Sequence, residues 1–86
     1  NPVTKETTIS FTLPEQENNY HVMLEVYNNM GQKVATLVEG TLVPGFYNAL
    51  WNAKDETLIN GMYTYRLKVE GSKDRQIRNG KLILIK

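Results

Sequence analysis

The side chains able to do chemistry are few and scattered. The chain has one histidine, His21, one tryptophan, Trp51, and no cysteine. His21 has no Cys or His partner to complete a tetrahedral zinc site, so it reads as a partly exposed strand residue. Ser10 has no base paired with it and reads as a hydroxyl on a wet face, not a nucleophile. Asn52, Asp55 and Glu56 could supply oxygens to calcium. Their spacing lacks the Asp-x-Asp-x-Asp-Gly regularity of a dedicated loop, so they read as solvated loop residues. No paired carboxylates and no nucleophile–base set can be assembled. The sequence therefore predicts no catalysis, no cofactor and no metal. Trp51 is either a core residue or an exposed platform for sugar stacking. The core reading is preferred, because one large aromatic in a small domain buries more area than any other side chain.

Charge narrows the field. Residues 1–65 carry three lysines against seven acids, a formal charge of −4, and residues 66–86 carry seven bases against two acids, +5. The whole chain is only +1, which argues against a nucleic-acid partner. The basic end closes on Lys81-Leu82-Ile83-Leu84-Ile85-Lys86. No run is long and apolar enough for a membrane-spanning helix. Without cysteine there is no disulfide to support the core, which fits an exported bacterial protein. The first residues are Asn1-Pro2 with no leader peptide, so the chain is expected to be a domain of a longer polypeptide or a processed end.

The elements that must position these residues are strands. Eighty-six residues make one domain with a modest core. Ile9, Phe11 and Leu13 alternate with Thr8, Ser10 and Thr12, and Pro14 ends that strand. Tyr20 to Tyr27 alternates with Val22, Leu24 and Val26 inward and His21, Met23, Glu25 and Tyr27 outward. Asn28 to Gln32 is a turn with Gly31 at positive φ, and Lys33 to Val38 returns as a hairpin partner. Val34, Ala35, Leu37 and Val38 leave little room for a wet face, so this strand is expected to be covered on both sides near its end. Glu39 to Gly45 crosses over, turning at Pro44-Gly45. Phe46 to Asn52 follows, with Tyr47, Ala49 and Trp51 on one face. Asn60-Gly61 is turn chemistry, and Met62 to Glu70 then alternates with Tyr63, Tyr65, Leu67 and Val69 inward. The order Leu58-x-x-Gly61-x-Tyr63 is similar to a tyrosine corner, where a Tyr hydroxyl ties a strand start to the preceding chain. Gly71 to Asp74 turns into a last long strand, expected to bulge or kink near Gly80. Leu82 to Ile85 is apolar on both faces, so both should be covered. The pattern predicts an all-β, immunoglobulin-like antiparallel β-sandwich of about seven strands, with Ile9, Phe11, Leu13, Val22, Leu24, Val26, Trp51, Tyr63, Tyr65 and Leu67 as its core.

Six segments in register carry a further likeness. They are Asn1-Pro2; Thr8 to Pro14; Val26-Tyr27-Asn28-x-x-Gly31-Gln32-x-Val34; Pro44-Gly45-x-Tyr47-x-x-x-Trp51-Asn52; Leu58-x-x-Gly61-x-Tyr63-x-Tyr65-x-Leu67; and Lys81 to Lys86. Together they resemble the C-terminal sorting domain of cargo proteins of the Bacteroidetes type IX (Por) secretion system, over essentially the whole chain. Asn52 stands where that family often has Asp, and Val3 where it often has Phe. The pattern is similar also to the Ig-like domain of the flagellar hook-capping protein.

The resemblance implies a function without catalysis. Such a domain is an address on an exported passenger, read by the outer-membrane translocon, and a surface sortase exchanges it for a surface anchor. Localisation is then through the periplasm to the cell surface or outside. The family's recognition elements fall on Pro44, Gly45, Gly61, Tyr63, Lys81, Leu84 and Lys86. A basic, apolar final strand is independently the kind of edge a partner docks on. The alternative is an Ig-like structural, adhesion or carbohydrate-binding module.

Overall fold

The computed structural model describes residues 2–3, 6–53 and 58–85. The described chain is all strand and turn: β1 Pro2–Val3, β2 Glu6–Leu13, β3 Tyr20–Tyr27, β4 Lys33–Leu42, β5 Gly45–Asn52, β6 Gly61–Glu70 and β7 Arg75–Leu84. Six are full strands and β1 is a two-residue pairing. They form a five-stranded sheet of order β1-β7-β6-β3-β4 and a two-stranded sheet, β2-β5. Every pairing is antiparallel except β1 on β7. A four-strand run of β7, β6, β3 and β4 opposed by β2 and β5 is the Greek-key order of an immunoglobulin-like sandwich.

Alternation sets which side chains meet. Ile9, Phe11 and Leu13 of β2 and Ala49 and Trp51 of β5 face Val22, Leu24 and Val26 of β3, Tyr63 and Leu67 of β6, and Leu82 and Leu84 of β7, all buried. Trp51 is 2% exposed, and its ring is tilted 58° against Tyr63 with centroids 5.3 Å apart. This is the favoured edge-inclined aromatic geometry, and it joins the two sheets. The burial removes the sugar-platform reading of Trp51. Tyr20 also belongs to the core, its hydroxyl donating to the Pro14 carbonyl oxygen at 2.6 Å and closing the β2–β3 loop.

Several sequence expectations need correcting. Strand β4 does not stop at Val38 but runs to Leu42, through Gly40 at φ 151° opposite Val22. Its residues Val34, Ala35, Leu37 and Val38 are only half-buried, not covered on both faces, because β4 is an edge strand of the larger sheet. Tyr65 is half-buried and not core. No bulge interrupts β7: its register with β6 is constant from Gly61↔Leu84 to Glu70↔Arg75. Gly80 has a different role, since a Cβ there would overlap the Tyr65 ring lying across it. Ile83 and Ile85 are exposed while Leu82 and Leu84 are buried, so one face of the final strand is open among the described residues.

Replacing Trp51 by Ala should cost about 3–5 kcal/mol, a large share of the stability of a domain this size. A thermal or urea melt checks this. A variant melting within a few degrees of the parent would contradict the burial described.

Candidate recognition site

The residues singled out by the sequence do not meet at one place. Gly45 begins β5 opposite Leu13, at the end of the sandwich where β2 finishes. Gly61 begins β6 opposite Leu84, at the other end, where Trp51 packs on Tyr63. Pro44 and Gly45 are therefore separated along the strands from Gly61, Tyr63 and Leu84, and the domain's longest dimension is 40 Å. Lys81 is exposed on the outer face of β7, opposite Thr64. Leu84 is fully buried and Tyr63 is 3% exposed, so neither side chain is open to a partner in the folded domain. Lys86 lies outside the described residues, as do Asp55 and Glu56 of the calcium loop considered above. Among the described residues no group of three or more His, Cys, Asp or Glu could hold a metal ion.

The two ends share one local device. The Tyr63 hydroxyl donates to the Ile59 carbonyl oxygen at 2.7 Å, forming the expected corner. The Tyr47 hydroxyl does the same to Val43, at 2.6 Å. In both, a glycine two residues before the tyrosine has a φ near 150°: 154° at Gly45 and 149° at Gly61. That conformation is open to glycine and strains any L side chain. The two six-residue segments, Leu42 to Tyr47 and Leu58 to Tyr63, share the spacing Leu-x-x-Gly-x-Tyr. The sequence carried both copies, but only the second was read as a corner. The difference lies in burial: Tyr63 is core, whereas Tyr47 is half-buried and stacks on Phe11 at 5.5 Å. Gly45 and Gly61 thus help to set how a strand begins.

Glu25 is the second feature that sequence reasoning missed. It was assigned to a wet face, yet it is 7% exposed. Strand β3 is hydrogen-bonded on both sides, to β4 and β6, and Tyr27 and Lys33 close over the carboxylate. The Tyr27 hydroxyl donates to Oε1 at 2.7 Å and the Lys33 ammonium to Oε2 at 3.3 Å. The Tyr27 bond is the main cause that holds the Glu25 carboxyl below the ordinary glutamate value of 4.5; burial opposes it and Lys33 reinforces it. The same bond pushes the Tyr27 phenol above its ordinary value. The Arg66 guanidinium lies 5.6 Å from the Tyr27 ring centroid. The signal in the sequence was the Glu-x-Tyr spacing on a central strand.

The open part of the molecule is β7. Its residues from Arg75 to Asn79 are exposed on both faces. Gln76 and Arg78 stand on the core-facing side, opposite Val69 and Leu67, yet bury little. At the other end, Met30, Ile59, Met62, Ile83 and Ile85 are exposed apolar side chains. No helix among the described residues is long and apolar enough to cross a membrane. No family model matches the chain, and no curated protein matches it.

The Glu25 shift has a definite sign in its pH dependence. A carboxyl whose folded value is depressed stabilises the fold fully above its unfolded value, and loses that contribution as the pH falls through the folded value. Glu25→Gln keeps an acceptor for Tyr27 but removes the titration. The stability gap between parent and variant should therefore shrink as the pH falls below the ordinary glutamate value of 4.5 and through the lower folded value. Urea melts across that range measure it, and a gap constant with pH would contradict the assignment.

Proposed function

We propose that the chain is a non-catalytic C-terminal sorting domain that directs an exported passenger through the type IX translocon of the outer membrane. The observation that carries this reading is the division of β7. Leu82 and Leu84 anchor the strand in the core, while Lys81 and the arm before it are exposed, basic and without a structural task in the core. The ordered motif set, from Asn1-Pro2 to Lys81–Lys86, supports the same reading by resemblance. The sandwich accommodates it, since Pro44-Gly45 and Gly61-x-Tyr63 both begin strands at positions that require glycine. The translocon and a surface sortase are the partners in this proposal, and the exposed β7 side chains are the ones they would touch. Gly61, Tyr63 and Leu84 would act indirectly, by holding the strands that present those side chains.

The exposed lysine gives a test that separates recognition from folding. Loss of an exposed lysine should change stability by no more than about 0.5 kcal/mol. A reporter that reaches the periplasm and ends in this chain is expected at the surface of a cell with a working translocon. With Lys81→Ala plus Lys86→Ala it should remain in the periplasm, and the isolated domain should melt as before. A parent chain that leaves the reporter in the periplasm would sink the sorting proposal. Surface delivery of the double variant would remove these two lysines from the recognised surface.

A further inference from the structure

We infer that the open edge of β7 binds an extended acidic segment of a partner by strand addition, with alternate side chains of that segment seated in the groove beneath the edge. Three independent observations converge on it. The first is the edge itself. Strand β7 pairs with β6 along its whole length, but on its other side only Ile83 and Leu84 are paired, by Pro2 and Val3. Among the described residues nothing pairs with that side of Arg75 to Leu82, which leaves a row of backbone donors and acceptors of the kind extended peptides complete.

The second observation is the groove. It lies between the arm and β2, lined by Phe11, Leu13, Leu67, Val69, Gln76 and Arg78 among others. Its apolar wall is made by Phe11, Leu13, Leu67 and Val69, and Thr12, Gln16, Gln76 and Arg78 supply polar surface beside it. A strand added there sends every second side chain toward the groove and the others over the outer face. Pockets for alternate side chains are what give strand addition its specificity.

The third is charge. Arg75 and Lys81 stand on the outer face of β7 and Arg78 at the groove. The single ion pair among the described residues is Lys33–Glu25, so none of these three cations is paired. Two acids, Glu17 and Asp74, line the turn end of the groove, and the Ser72 amide donates to Glu17 at 2.5 Å, so acidic side chains of a partner are placed over the outer face and not in the groove. A second copy of the chain docking edge to edge would set these cations against their own equivalents, which is repulsive. A strand with acids on one face and apolar side chains on the other matches Arg75 and Lys81 outside and the apolar wall of the groove within. In this reading the partner is a translocon component; that identity rests on the sorting proposal, while the chemistry of the edge does not.

The probe is a synthetic peptide of about ten residues alternating glutamate and valine, long enough to match a typical strand. Titrated into the labelled domain, it should shift the backbone amides of Arg75 to Lys81 and slow their hydrogen exchange. The same peptide N-methylated at alternate residues, on the side facing β7, should not bind. Arg75→Gln plus Arg78→Gln should melt like the parent and weaken binding about tenfold or more. The inference is overturned if the N-methylated peptide binds equally well, if the shifts fall on β2, β4 or β5 instead, or if a single-stranded DNA oligonucleotide binds the arm as tightly. Peptide binding without delivery of a reporter by the parent chain would sink the sorting proposal and leave the edge standing. Normal delivery by the Arg75→Gln plus Arg78→Gln variant would sink the edge as the translocon's contact and leave the sorting proposal standing.

Discussion

The constraint on which the structure depends is the mismatch between its sheets: a two-stranded sheet, β2-β5, has to shield a five-stranded one. Burial follows the geometry. Strand β3, at the interior of the large sheet, has Tyr20, Val22, Leu24 and Val26 all buried, whereas the apolar residues of β4 are half-buried and the first half of β7 is exposed on both faces. The contact that holds the layers together at one end is Trp51 on Tyr63. Apolar burial is the dominant favourable term in folding, so the stability of the domain is concentrated along β3 and at the Trp51 end. What the small sheet cannot reach is left to polar and charged residues, or is available to a partner.

Much of this division was legible in the sequence because alternation is a local signal. Ile9-Phe11-Leu13 and Val22-Leu24-Val26 could be assigned to one face from their spacing alone. Tyr63 and Leu67 could be assigned in the same way. What alternation cannot encode is which strand lies beside which. Glu25 and His21 both point outward with β4 and β6 on either side, but only Glu25 is covered by Tyr27 and Lys33, so it is buried while His21 is exposed. Tyr65 has the pattern of a core residue, yet it sits half-buried with its ring lying across Gly80 of the neighbouring strand. Asn79-Gly80 looks like a hairpin turn locally and is the middle of a strand, because β6 supplies partners from Gly61 to Glu70 without a shift.

The candidate site was legible in part, and for a different reason. Glycines at φ near 150° and tyrosines that bond back to the chain leave a fixed spacing, so Gly45 and Gly61 stand out in a sequence. That spacing signals a structural requirement. It does not by itself say that a partner touches the residue, and Tyr63 and Leu84 turn out to be enclosed. The exposed cations of β7 leave no such spacing. Their meaning comes from the open strand edge and the groove below it, which exist only once β2, β6 and β7 are assembled. Two kinds of residue therefore enter the proposed function: buried ones that set the arm's position and exposed ones that are open to a partner.

The central claim is that the core and the β7 arm are separate, one holding the fold and the other left free for recognition. Residue-by-residue hydrogen exchange of the isolated domain under native conditions tests it most directly, because it reports the free energy of opening at each amide. Hydrogen-bonded amides of Val22 to Val26 and of Leu82 to Leu84 should exchange only through global unfolding. Those of Arg75 to Asn79 should exchange through a smaller local opening, at clearly lower free energy. Equal protection of the arm and the core would contradict the account, since it would make the arm a cooperative part of the fold.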